Sequence, residues 1–499
     1  MAIETGIPTT VRTPLFYASI DASQAGFFQI QKRALLVGQM LGTGSADAGA
    51  ALLVGTADAA ADFFGVGSML HHMMAQYRAN DPFGEVYCYG IADDAGWTAA
   101  TADLVVAGAA TAAGTLPVYI GDRRYQVGVS SGDTADDVGA AIAAAINADG
   151  MRHVDAANAL GTVTLTARHK GLHMNGTRVE VAPRGPQGGE RVPAGLTVTP
   201  ADLAAGAGAP DIEAVFAALG DEEFDYIILP YTDTAALDAV YEAMNDISGR
   251  WAWSRGIFGH VFAAKLDTQG NLASFGNGRN DPHTSILGLR ASATPAWLIA
   301  TAFGATAGRE ITIDPARPLQ TLALTGVTVR DPSAAFTLTE RNTLLFDGIA
   351  TAVVRVDGTV AIERAITTYQ LNAFGQPDPS WLDVTTPATL TEVIRRLRYR
   401  ITTKFPRKKL AKSGTPVGEG QAVVTPEIIR AELIDAYRQM QTLGLVEDME
   451  AFKTHLLVEK DPDDANRVNV RFPPDLVNQL RVFAVQVQFR LDYQQAAAA

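Results

Sequence analysis

At 499 residues the chain is too long for one compact core, and about two to four domains are expected. A net charge of −14 argues against non-specific nucleic-acid binding by the whole surface, and no run approaches the roughly 20 apolar residues that span a bilayer. The single cysteine, Cys88, lies in the apolar run VYCYGI, excludes an intramolecular disulfide and fits a reducing cytosol, and the N-terminus shows no secretory signal.

Residues 1–22 read as an arm. Pro8 and Pro14 keep it extended, and LFYASI, with Leu15, Phe16, Tyr17 and Ile20, is strand-like without a hairpin partner beside it. RALLVGQM (33–40) and EVYCYGI (85–91) read as buried strands, with one helical stretch from Asp58 to Gln76 between them. This is the spacing of a parallel βαβ unit. From 97 to 200 the composition turns to Ala, Gly, Thr and Val. A hairpin turning at Gly121-Asp122, a helix opening on a Thr134/Asp137 capping box, and two further strands make a small α+β insertion with its own core.

The α/β pattern resumes near 210 with strands at 224–230, 256–264 and 285–289. The expectation is a mostly parallel sheet covered on both faces. Asp357-Gly358 joins two alternating runs into a hairpin. Helices follow from Thr386-Pro387 and from TPEIIRAELIDAYRQMQ, the second with the stripe Ile429, Leu433, Ala436, Tyr437 and Met440. The last strand alternates from Val485 through Val487, Phe489 and Leu491 to Tyr493, and only a Gln-Ala tail follows. A strand needs a ladder partner, and no hairpin supplies one here.

Catalytic patterns are missing. His71 and His72 are adjacent, so they cannot form the i, i+4 pair of a zinc helix; His169 and His173 read as ordinary loop residues. The Gly-rich turn after residue 36 lacks both dinucleotide and P-loop spacing, and no nucleophile elbow occurs. The loop 275–285 (FGNGRNDPHTS) is the one place where an α/β ligand- or nucleotide-binding enzyme could keep a site. Arg395, Arg396, Arg398, Arg400, Lys404, Arg407, Lys408, Lys409 and Lys412 form a basic block with no acid among them. Such a block can meet nucleic acid or an acidic protein surface, or be a solvated helix face.

In order along the chain, QKRALLVGQM, ADFFGVGSMLHHMMAQYRANDPFGEVYCYGI, VYIGDRRYQVGVSSGDTADDVGAAIAAAINAD and TLTEVIRRLRYRITTKF with VTPEIIRAELIDAYRQMQTLGLVED resemble the Mu-like phage tail sheath proteins. The resemblance implies a structural protein without cofactor or metal, not an enzyme. It implies a discontinuous α/β core (23–96 and 201–340), an outer inserted α+β domain (97–200), a C-terminal α+β polymerisation domain (341–480), and N- and C-terminal strand arms (1–22 and 481–499). The implied partners are further copies of the chain, in hexameric rings stacked as a helix, an inner tail tube protein, and baseplate and tail terminator proteins. Neither direct nucleic-acid contact nor membrane insertion is implied. The implied location is the virion tail, with assembly in the host cytoplasm. The arms would pair as strands between subunits, and the basic block would face the tube.

Overall fold

The computed structural model describes residues 31–416, 418 and 420–489. Five strands, Arg33–Met40, Glu85–Ala92, Tyr226–Ile228, His260–Leu266 and Thr284–Leu289, run parallel in one sheet. Ala51–Leu53 pairs antiparallel with Glu85–Ala92 at one edge. The chain enters at Arg33–Met40, steps to Glu85–Ala92 on one side, then returns to build outward on the other. The order therefore reverses between Arg33–Met40 and Tyr226–Ile228.

Ala34 through Met40 are all buried, as a parallel strand covered on both faces requires. Ala296–Ile313 is the central covering helix, buried along most of its length. A Cβ on Gly304 would lie 2.6 Å from the Ile228 side chain, so glycine sets how closely this helix approaches the sheet.

The single helix expected from Asp58 to Gln76 is two helices, Ala57–Phe64 and Met69–Asn80. Gly65 and Gly67 take φ of +91° and +72°, which stop the first helix, and the Ser68 hydroxyl accepts from the His71 N–H to start the second.

Between the two halves of the parallel sheet the chain builds two antiparallel sheets. One has the order Leu196–Pro200, Ala99–Gly108, Thr162–Lys170, Val154–Ala159; the other has Arg123–Val129, Gly114–Ile120, Val179–Val181. The helix Ala135–Ala148 packs on them, opened by the capping box in which Thr134 and Asp137 satisfy each other's N–H groups. The separate core expected for this stretch is not what the packing shows. Its buried side chains join those of the parallel sheet in one continuous cluster.

The hairpin Thr351–Val354/Thr359–Arg364 also belongs to that cluster, reached through a parallel bridge between Leu287 and Ala350. A second cluster begins at Val393 and is built by the helices Thr385–Lys404, Pro426–Thr442 and Met449–His455. Hydrophobic contacts thus divide in the 385–404 helix, well after residue 341.

Candidate assembly surfaces

The second cluster is organised around Tyr437. Its ring stacks on Phe452 with centroids 3.7 Å apart, and Phe472 closes on Phe452 at 4.9 Å. The Tyr437 hydroxyl donates to the Glu447 carbonyl and accepts from the Asp475 N–H at 3.2 Å. Beside this core stands the two-stranded antiparallel sheet Leu457–Lys460/Val468–Arg471, in register from Leu457–Arg471 to Lys460–Val468. Two strands alone leave both outer edges with unpaired backbone groups.

From this sheet the chain passes over the second cluster, bridges Val446 to Leu476, and is fastened by Gln479 to the Ala316 carbonyl at 2.8 Å and by Arg481 to Asp383 at 3.0 Å. Beyond Arg481 the fastening stops. Among the described residues, 482–489 form no ladder and no backbone hydrogen bond. Val482, Phe483, Val485, Val487 and Phe489 are between 63 and 81 % exposed. Five large apolar side chains thus stand uncovered in one segment. Leu491 and Tyr493 lie outside the described residues, as do Leu15, Phe16, Tyr17 and Ile20 of the N-terminal arm.

The basic block divides in two. Arg395 is buried, against the expectation that it lies on an exposed face. Its guanidinium bonds Glu223 at 2.6 Å and Asp225 at 2.5 Å, tying the 385–404 helix to the parallel sheet. Arg400 pairs with Glu432 and Asp435, Lys404 with Glu432, and Arg396 with Glu392 at 2.7 Å. Burial opposes ionisation of Glu432, but the Lys404 and Arg400 bonds hold its carboxyl below the usual range. Acids remote in sequence neutralise this part of the block. Arg398 reaches the Gly256 carbonyl at 3.5 Å and remains exposed. Arg407, Lys408, Lys409 and Lys412 are exposed, with Lys409 bonded only to Gln421 at 3.0 Å.

The polar groups of the 275–285 loop are taken up by partners inside and outside it. Arg279 pairs with Asp238, the Asn280 side-chain Oδ1 accepts from the Gln370 and Leu371 N–H groups, and Asp281 accepts from His283 N–H and the Thr284 hydroxyl. A cleft of about 230 Å³ borders it, without a nucleophile and base in contact.

His169 is not an ordinary loop residue. His169 ends a strand, accepts from the Met69 N–H at 3.0 Å through Nε2 and faces Asp93 at 3.3 Å through Nδ1. Those partners place its proton on Nδ1. Burial opposes ionisation of Asp93, yet its bonds to His169, Lys170 and Gln39 hold its carboxyl below the usual range. His72 meets His153 with ring centroids 4.4 Å apart, and His153 bonds Asp122 at 2.7 Å. Histidines therefore pin the 97–200 stretch to the Met69–Asn80 helix, a long-range juxtaposition that spacing along the chain does not signal. Among the described residues no group of three or more His, Cys, Asp or Glu could hold a metal ion.

Comparison with known proteins follows the same geography. The phage tail sheath protein central domain matches residues 205–368, and the phage tail sheath C-terminal domain matches 376–490. The Mu-like prophage FluMu tail sheath protein of Haemophilus influenzae is 39 % identical over 487 residues, 97 % of this chain and 99 % of that protein. Among solved structures, the sheath tail protein of Desulfitobacterium hafniense aligns with a TM-score of 0.49 and 14 % identity over 94 % of this chain and 97 % of its own. The anti-feeding prophage helical sheath in its contracted state gives 0.43 and 12 % over 97 % and 100 %. With that identity along nearly the whole of both chains, this protein belongs to the Mu-like phage tail sheath family: it is a structural subunit of a contractile tail sheath and not an enzyme.

Proposed function

We propose that the subunit polymerises by strand exchange: the terminal segment 481–493, and the N-terminal arm with it, add as strands to open sheet edges of neighbouring copies. The observations that carry this are the uncovered apolar run from Val482 to Phe489 and the two-stranded sheet Leu457–Lys460/Val468–Arg471, whose outer edges carry no further strand among the described residues. Strand addition satisfies the backbone of the arm, covers edges that otherwise invite aggregation, and gives a directional link. Repeated along an axis without closing, such a contact makes a helix of stacked rings. Hexameric rings around an inner tube, bounded by baseplate and tail terminator and assembled in host cytoplasm, complete this reading.

Contraction then needs no nucleotide. Bodies held by strand tethers rotate between two lattice packings without dissociating, and the free-energy difference between the packings drives the tube forward. The basic face toward the tube is narrower than the full block: Arg398, Arg407, Lys408, Lys409 and Lys412 are its exposed members without an ion pair among the described residues, whereas exposed Lys404 is held by Glu432. Exposed charge pairs contribute roughly 0–1 kcal/mol each, enough in number to hold register and weak enough to release. We further infer that 97–200 forms the outer part of the sheath and that 376–490 forms its polymerising part.

Electron microscopy of the full chain beside a chain ending at Leu480 tests the proposal. Tubes or rings from the full chain and dispersed particles from the shorter one are expected. Equal polymerisation of both would refute the role of the last strand.

A further inference from the structure

A cleft of about 330 Å³ opens at the carboxyl ends of the parallel strands. Gln39 enters it from Arg33–Met40, Tyr231 follows Tyr226–Ile228, Lys265 ends His260–Leu266, and Thr294 follows Thr284–Leu289. This is the point where the strand order reverses, the place where doubly wound sheets leave a crevice because the flanking connections depart to opposite faces. The other wall comes from the 97–200 stretch and its exit, residues 170–178 and 208–210. The volume lies in the range that holds a small ligand.

The lining is positively charged. Lys170, Arg178 and Lys265 are among the lining residues with one carboxylate, Asp233, which accepts the Ala236 N–H as a helix cap; a second carboxylate, Asp93, lies behind the floor, bonded to Gln39. Lys265 forms no ion pair among the described residues; its ammonium sits 5.0 Å from the Phe275 ring centroid. The Lys170 ammonium donates to the carbonyls of Asp94 and Ala95, at 3.3 and 3.1 Å, while its backbone N–H donates to the Asp93 carboxylate at 2.9 Å. Arg178 has a distant partner, Glu180, at 3.7 Å. The floor is fixed: Gln39, fully buried, bonds Asp93 and the Lys170 carbonyl at 2.5 and 2.8 Å and receives the Tyr231 hydroxyl at 3.4 Å. A rigid polar floor beside Lys170 and Lys265, whose ammonium groups have no carboxylate partner among the described residues, is preorganised for an anion.

We propose that this cleft binds a small polyvalent organic anion, bearing phosphate or carboxylate groups, and that occupancy clamps the 97–200 stretch onto the parallel sheet. Lys170 and Lys265 supply the charge from the two walls, so a bound anion adds a bridge between elements already joined by hydrogen bonds, apolar contacts and the Arg330–Glu180 pair. Free energy of binding adds directly to the stability of that junction.

The test uses the full chain with sodium pyrophosphate and with sodium citrate, each against sodium chloride at matched ionic strength. The readouts are melting temperature and amide hydrogen exchange at 170–178 and 230–233. A rise of about 2 °C or more with slower exchange at both segments is expected for at least one anion, and the stronger of the two identifies the phosphate or carboxylate class. Lys170→Met and Lys265→Met, each checked for an unchanged melting temperature in chloride, should abolish the rise. No difference from chloride with either anion, or an equal rise in both variants, would overturn the site.

Discussion

The Arg395 guanidinium meets the Asp225 carboxylate at 2.5 Å, inside the protein, where the 385–404 helix reaches the start of the strand Tyr226–Ile228. Glu223 takes the other side of the same guanidinium, and Lys32, at the root of the N-terminal arm, lies 4.0 Å from Glu392 one turn earlier. Burial pushes the Lys32 ammonium down, with Glu392 and Asp225 opposing. The junction between the two hydrophobic clusters is thus an ion cluster, which is directional in a way that an apolar seam is not.

Replacing Arg395 by alanine leaves Asp225 buried without its partner. Breaking a buried pair on one side costs about 3 kcal/mol or more. A fall in melting temperature is expected, and Arg395→Met combined with Asp225→Asn should recover part of it.

A second prediction concerns the insertion. Arg330 lies 4.3 Å from the Tyr119 ring centroid, bonds Glu180, and donates to the Gly121 carbonyl at 2.6 Å. It holds the three-stranded sheet of the 97–200 stretch against the strand-and-helix body. Arg330→Ala should make that stretch more sensitive to limited proteolysis and cost about 2 kcal/mol, with polymerisation retained.

The pH dependence follows from His260, which is buried, and His173, which is half-buried beside the cleft. Burial pushes His173 and His260 down to about 3, against an ordinary value of 6.5. The unfolded chain takes up protons below 6.5 while the folded chain does not, so stability is full above that pH and declines toward pH 3. Between pH 6.5 and 5 each contributes a loss of roughly 1–2 kcal/mol. Melting temperature should therefore fall across this interval, and His173→Gln or His260→Gln should flatten the fall.

Charge reversal distinguishes the two parts of the basic block. Lys408→Glu with Lys412→Glu alters exposed charge and should weaken assembly on tubes without lowering the melting temperature. Arg400→Glu sets like charges against Glu432 and Asp435 and should lower the melting temperature itself.

Local signals were the legible ones. The Thr134/Asp137 box, the Asp357-Gly358 turn and the stripe from Ile429 to Met440 all lie within one element or one turn, and each is found where its spacing places it. What failed was long-range. Nothing within 395–412 announces that Glu223, Asp225, Glu432 and Asp435 neutralise it, because those acids arrive from elements 28 to 172 residues away. The histidines read as unrelated for the same reason: His169 and Met69 are 100 residues apart. Gly65 and Gly67 stand in the sequence, but the apolar periodicity continues across them, and it is their positive φ angles that break the helix.

The most direct measurement is a cryo-electron microscopy reconstruction of the polymer, traced through residues 481–493. Strand exchange predicts that Val485, Val487, Phe489, Leu491 and Tyr493 form a strand on a sheet edge of a neighbouring subunit. Tracing of that segment back onto its own subunit, in an intact polymer, would contradict the account.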